Sequence, residues 1–372
     1  MVLGLMSGTS MDGIDAALCD ITMARGAPRI RLVSSARFSY PKKLRSRLFS
    51  LLSGEGSVAE VCQLNVAIGE AFSRAALKGM GQKRIELIGS SGQTIFHSPK
   101  TGSTLQIGSP AVIADRTGVP VWSDFRSADM AGGGEGAPLA PVVHLPLFVE
   151  QRINVSALNI GGIANITHIP AGAKTLSQLV AYDTGPGNML IDLATTRMGE
   201  GLFDRGGHIA RMGKVKERLL DKLLGHRFFK KKTPKSTGRE QFGEAFIRWA
   251  GIDGRRKWDE NMVATFTELT ARTVTNEIKK LAKANRPTDR LVICGGGAKN
   301  GFLVERITEL SGEAIDVVTS DKLGAPCDVI EAMLIALLAF FADSGITQDL
   351  RSITGSKNSN APLGSYTPAK PL

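Results

Sequence analysis

The sequence predicts an α/β protein of two related lobes around a cleft, and three observations carry that reading. Apolar strands alternate with helix-period stretches through both halves of the chain. A short apolar strand, a glycine-rich tip and a returning strand occur near the start of each half, at residues 2–21 and again at 157–169. With 372 residues, 42% hydrophobic and 22% charged, the chain is long enough to bury a core in each of two lobes.

Taken in order, residues 2–6 read as a strand, Ser7-Gly8-Thr9-Ser10-Met11-Asp12-Gly13 as the tip, and 14–21 as the returning strand. Val61, Leu64, Ile68 and Phe72 fall on one helical face, and 85–88 is the strand that follows. Gly132-Gly133-Gly134 interrupts all patterning. The boundary is therefore placed within 125–136, giving an N-terminal lobe of residues 1–130 and a C-terminal lobe of residues 131–372. In the second half, residues 157–160 lead into the turn Gly161-Gly162-Ile163-Ala164-Asn165, and 266–281 read as a helix. Leu291-Val292-Ile293-Cys294 is a buried strand ended by Gly295-Gly296-Gly297. Asp328 opens a long last helix with Glu331 in the capping-box relation, expected to pack back onto the N-terminal lobe.

Composition narrows the function classes. Lys and Arg number 46 against 35 Asp and Glu, a net charge of +11 that suits anionic ligands. The basic residues are scattered except around Lys230-Lys231-Lys232, where Phe228 and Phe229 make no stacking platform, so a nucleic-acid partner is not expected. Cys19, Cys62, Cys294 and Cys327 show no C-x-x-C spacing and read as buried free thiols. No basic n-region opens the chain, and the longest apolar run, 332–342, is too short for a bilayer. A cytoplasmic protein with no membrane partner is the expectation.

Four segments carry candidate chemistry. In Ser7 to Asp15, backbone N–H groups and small hydroxyls can face phosphate oxygens, with Asp12 or Asp15 acting through Mg²⁺; an ordinary hairpin turn has the same composition. No Walker A loop and no strand-linked Gly-x-Gly-x-x-Gly occurs. The second tip, around Gly162, offers similar geometry or serves only strand twist. Tyr182-Asp183-Thr184-Gly185-Pro186-Gly187-Asn188 places a carboxylate at a strand end, as a general base requires; the spacing equally suits a turn in which Asp183 bonds nearby N–H groups. Asp183-Thr184-Gly185 also matches an aspartic-protease triplet, but its would-be mate Asp343-Ser344-Gly345 closes a helix, whereas a proton-sharing pair needs two matched strand-loop settings. Gly295, Gly296 and Gly297 form a bare surface on which a base or ribose can lie, or a βα turn chosen for freedom. Polar groups in 91–97 and 124–129 flank apolar strands as substrate pockets do, with His97 reading as structural.

Together these segments resemble the anhydro-N-acetylmuramic acid kinase family across essentially the whole chain. The resemblance rests on residues 4–15, 92–97, 159–165, 183–188, 295–298 and Pro234-Lys235-Ser236-Thr237-Gly238-Arg239-Glu240. It implies two RNase H-like lobes of the sugar kinase, Hsp70 and actin superfamily around an ATP cleft. It also implies a reaction in which ATP and water convert the anhydro sugar, a cell-wall turnover product, into N-acetylmuramic acid 6-phosphate and ADP. Carried onto this sequence, Asp183 is the base, and Gly8, Thr9, Ser10, Met11, Asp12, Gly13, Ile14 and Asp15 hold ATP phosphates with Mg²⁺. Gly162 and the glycine triplet would also meet the nucleotide, and Arg126, Asp129, Asn165, Thr184 and Glu331 would meet the sugar. A homodimer is implied as well, while direct metal ligands are left unassigned. Ser91, Ser109 and Glu135 depart from the family's usual His, acidic residue and Gln. A kinase for another amino sugar and an ATP-gated binding protein of the actin or chaperone kind are the alternatives.

Overall fold

The computed structural model describes every residue except 9–10, 12, 25, 53–55, 234, 253–257, 358–361 and 371–372, and only the backbone of Arg239 and Glu240. The chain forms two compact units, one of Met1–Leu147, Lys174–Ser177 and Val329–Leu372, the other of Phe148–Ala173 and Gln178–Asp328. The division thus falls after Leu147 rather than at 130, because the glycine-rich stretch after Ala131 is tied back into the first unit. Gly132 O accepts from Lys357 N at 2.7 Å and Glu135 N donates to Thr354 O at 2.8 Å.

In the first unit the strands are β1 (Val2–Ser7), β2 (Gly13–Ala24), β3 (Ala27–Ser39), β4 (Leu87–Ser98), β5 (Ser103–Ile107) and β6 (Val121–Ser123). The sheet runs in the order Ser365–Thr367, β6, β4, β1, β2, β3, with β5 paired to β4. β1 is antiparallel to β2 and parallel to β4, which is parallel to β6. Successive β1 residues point to opposite faces. The helix Val58–Met80 lies over the face of Leu3, whose Cδ1 is 3.6 Å from the place of a Gly79 Cβ. The helix Ile330–Asp343 covers the other face so closely that a Cβ on Gly4 would lie 1.9 Å from Ala332 O. Only glycine fits there.

The second unit holds β7 (Val155–Ile160), β8 (Ile163–Ile169), β9 (Val180–Pro186), β10 (Arg290–Cys294) and β11 (Asp316–Thr319), in the order β11, β10, β7, β8, β9. β7 and β8 are antiparallel, as are β8 and β9, whereas β10 is parallel to both β7 and β11. Each unit therefore repeats one plan, an antiparallel meander of three strands with parallel strands added beside the first. This is the RNase H-like arrangement. The helix Glu260–Lys283 supplies the apolar face for the meander through buried Ala271, Val274, Ile278 and Leu281.

Some local expectations change. The last helix begins at Ile330 with Val329 as its N-cap and no side-chain cap, because Asp328 pairs with Lys299 instead. Cys62 is exposed on the outer face of its helix, whereas Cys19, Cys294 and Cys327 are buried. Strand β3 was not visible in the sequence because its arginines and serines alternate with only a few apolar residues, as suits a sheet edge. Among the described residues no helix is long and apolar enough to cross a membrane.

Two buried histidines link stability to pH. Burial lowers His144 and His168 to about 4. An unfolded histidine titrates near ~6.5, so the unfolded chain takes up the proton first as pH falls. Stability present above that value is lost toward pH 4, by about 3 kcal/mol per histidine. The thermal midpoint should fall between pH 7 and 4.5, and His168→Gln should flatten that dependence; an equal slope in the variant would refute the assignment.

Candidate active site

The first hairpin tip is supported from behind by a buried polar set. Ser7 Oγ lies 2.8 Å from both Gly13 O and Gln93 Oε1, and the Tyr40 hydroxyl donates to Ser7 Oγ at 3.0 Å. Gln93 Nε2 donates to Gly8 O at 3.3 Å, which ties the tip to β4. Desolvation raises the Tyr40 phenol, so it stays a donor. Met11 takes φ 54° with its side chain 2% exposed in the core, and Ile14 is 1% exposed. Those two residues therefore leave only main chain for a ligand. A Cβ on Gly13 would sit 2.3 Å from Phe38 O, so that glycine admits the neighbouring strand. Asp15 Oδ1 lies 3.5 Å from Arg37 Nε. Thr9, Ser10 and Asp12 lie outside the described residues.

In the second unit, the β7–β8 turn and the glycine triplet meet at Asn188. Gly162 O accepts from Gly187 N and Met189 N at 2.9 and 3.2 Å, and Asn188 Nδ2 donates to Ile160 O at 3.5 Å. A Cβ on Gly295 (φ 77°) would lie 2.3 Å from Asn159 Oδ1, and one on Gly297 2.3 Å from Ile160 Cγ2. Those two glycines let the turn close on β7. The middle one, Gly296, is exposed, and its Cβ would meet nothing nearer than Asn188 Nδ2 at 3.9 Å. Exposed Gly162 and Gly296 thus each present bare main chain beside residues 187–189.

Asp183 sits on β9, directly opposite Asn165 of β8, while Gly185 pairs with Ala164. The register shift between these pairs makes Thr184 a bulge, a device that re-aims the neighbouring side chain. Thr184 is fully buried and its hydroxyl donates to Ala164 O at 3.1 Å. Its side chain is spent on shaping the bulge. Residues 235–237 run along the outer edge of β9: Asp183 N donates to Lys235 O at 2.9 Å, and Thr237 N donates to Asp183 Oδ2 at 2.8 Å. Main chain and carboxylate of Asp183 are held by one segment.

A second polar cluster lies in the first unit. Arg126 Nη1 donates to Gly136 O at 2.8 Å; burial works against its charge, and Glu331 and Asp129 favour it. Glu331 is exposed in the first turn of its helix. Asp129 is 1% exposed, accepting from Gly136 N at 2.8 Å and from Thr354 Oγ1 at 2.7 Å. Its oxygens hold the turn before Pro138. His97 shares a 3.1 Å hydrogen bond with Thr104 Oγ1, and burial, then Arg126, lowers its pKa.

The family model for anhydro-N-acetylmuramic acid kinase matches residues 1–369. The chain belongs to this family. Among its relatives, the anhydro-N-acetylmuramic acid kinase of Caldanaerobacter subterraneus subsp. tengcongensis is 40% identical, covering 96% of this chain and 94% of that protein. The one from Gloeobacter violaceus is 39% identical over 99% of both chains, and the one from Rippkaea orientalis is 38% identical over 95% of this chain and 96% of its own. The kinase is thus a phosphotransferase whose relatives are named for the anhydro amino sugar.

Two of the three departures from the family pattern make local contacts in this kinase, and nothing in the structure explains Glu135. Ser91 Oγ accepts from Ser7 N at 3.1 Å, and Ser109 caps the helix Pro110–Thr117 by accepting from Val112 N at 3.4 Å. Sequence reasoning missed Tyr40 and Thr354. Their roles depend on partners 33 and 225 positions away, and no motif signalled them. Gln93, Asn188 and Lys235 stood inside quoted motifs without a role.

Proposed function

We propose that this kinase uses ATP and water to open the 1,6-anhydro ring of anhydro-N-acetylmuramic acid and phosphorylate O6, with Asp183 as the base. The observation that carries this reading is the clamp on Asp183, whose main-chain N–H and one carboxylate oxygen are fixed while Asn165 stands opposite. A fixed carboxylate can take a proton from water without reorganising. As Asp183 accepts that proton, the water oxygen bonds to the anomeric carbon, the C1–O6 bond breaks, O6 takes the γ-phosphoryl group and ADP leaves. The bare main chain at Gly162 and Gly296 fits a nucleotide lying against it, and the Gly8 end of the first tip fits phosphate oxygens. Mg²⁺ would offset triphosphate charge, held mainly by phosphate and water oxygens. Arg126 and Glu331 would meet the sugar in the first unit.

The same reading places the kinase in the cytoplasm as a homodimer that recycles a cell-wall sugar. Release of ADP, measured by a coupled assay with the anhydro sugar, a plain amino sugar and no sugar, tests the function. Release only with the anhydro compound is expected. Equal release with the plain amino sugar would assign a different kinase, and slow sugar-independent release an ATP-gated binding protein.

A further inference from the structure

The segment that clamps Asp183 is itself fastened by an ion pair buried away from solvent. Lys235 Nζ donates to Glu277 Oε1 at 2.7 Å, with both side chains 2% exposed. Glu277 belongs to the helix Glu260–Lys283, and its Oε1 also accepts from Lys280 Nζ at 2.8 Å. The Lys235 ammonium stands 4.6 Å from the centre of the Phe228 ring. A buried pair of this kind gives little net stability, since desolvation offsets most of the attraction, but losing one partner strands an uncompensated charge in the interior. Here it sits on the segment that bonds Asp183 twice. Among the described residues the segment is otherwise held by its two bonds to Asp183, one to the main chain and one to the carboxylate, and by Thr237 Oγ1 donating to Gln241 Oε1 at 2.9 Å.

We propose that Lys235 and Glu277 are positioning residues for the base, together holding residues 235–237 against β9 and setting the charge that Asp183 experiences. The inference rests on the reading of Asp183 as base. Among the described residues, the other groups near this segment are Lys280 from the helix, Tyr182 from β9, Lys231 beside the Phe228 ring, Asn165 from β8 and Gln241, which accepts from Thr237 Oγ1. Burial and Glu277 both raise the Tyr182 phenol, so it carries no charge over the working range. Burial works against the Lys235 charge, whereas Glu277, and more weakly Asp183, favour it. The lysine and the two carboxylates therefore form one electrostatic unit.

A purely structural pair and a positioning pair differ in the pH profile of kcat. Lys235→Met removes a cation near Asp183, so the carboxylate gains its proton more readily and the acid limb moves to higher pH, by about half a unit or more. Glu277→Gln leaves the lysines uncompensated at acid pH and moves the same limb to lower pH. Lys235→Arg keeps the charge and should leave the limb where it is. Opposite shifts in the two charge-changing variants are the expected result; limbs unmoved in both, or moved together, overturn the proposal.

The double variant Lys235→Met with Glu277→Met removes both charges at similar volume, and guards against a single variant that fails to fold. It is expected to fold, with kcat at least about tenfold down and KM for the anhydro sugar nearly unchanged. Wild-type kcat in the folded double variant would overturn the proposal. Asp183→Asn, assayed alongside, separates the two failures: full activity there rejects the base assignment, whereas an inactive Asp183→Asn with unmoved limbs rejects only the positioning role.

Discussion

Replacing Asp183 with Asn should reduce kcat about a thousandfold or more, while ATP and the anhydro sugar still bind. The amide keeps the size of the carboxylate and can still accept from Thr237 N through its oxygen, so the bulge at Thr184 and the pairing with Asn165 should persist. What disappears is the ability to take a proton from water. The loss should therefore fall on kcat, with dissociation constants from calorimetry within a few-fold of wild type. A variant that loses binding and turnover together would indicate a misfolded segment, and one that keeps turnover would remove Asp183 from the chemistry.

The largest structural effect is expected at Gly4. Its place on β1 leaves no room for a side chain, since a Cβ would lie 1.9 Å from Ala332 O and 2.7 Å from Ala336 N, both main-chain atoms of the last helix. Gly89 on β4 meets the same helix at Ile335 O, 2.4 Å from the place of its Cβ. Gly4→Val would push the helix off the sheet and cost about 4 kcal/mol or more, lowering the thermal midpoint by roughly 8 °C or more. Gly301→Ala is the control. It opens the helix Gly301–Ser311, and the nearest atom to its Cβ would be Gly206 O at 3.7 Å, so stability should be unchanged or slightly higher. A Gly4→Val variant as stable as wild type would contradict the close packing.

How much of this was legible in the sequence depended on whether the signal was local. The two hairpins, the helix around Leu64 and Phe72, and the strand ending at Cys294 are periodic over a few residues, and each is present in the structure. The shared sheet plan followed from the repeated hairpin. The membership of Val329–Leu372 in the first unit was only partly readable, because it depends on Gly4 and Gly89 meeting a helix more than 240 residues further on. At the site, Asp183 was visible as a carboxylate in a glycine-rich strand end, but its clamp was not. Thr237 and Lys235 approach it across 54 and 52 positions through main-chain bonds that no residue pattern encodes. Asp129 and Thr184 were selected for their polar groups, and the structure uses those groups internally.

Mass analysis of the product formed in ¹⁸O-enriched water, quenched within one turnover, tests the central chemistry most directly. Attack of water on the anomeric carbon predicts one heavy oxygen in the sugar, at C1, and none in the transferred phosphoryl group. Heavy oxygen in the phosphoryl group, or a product sugar carrying none, would contradict it.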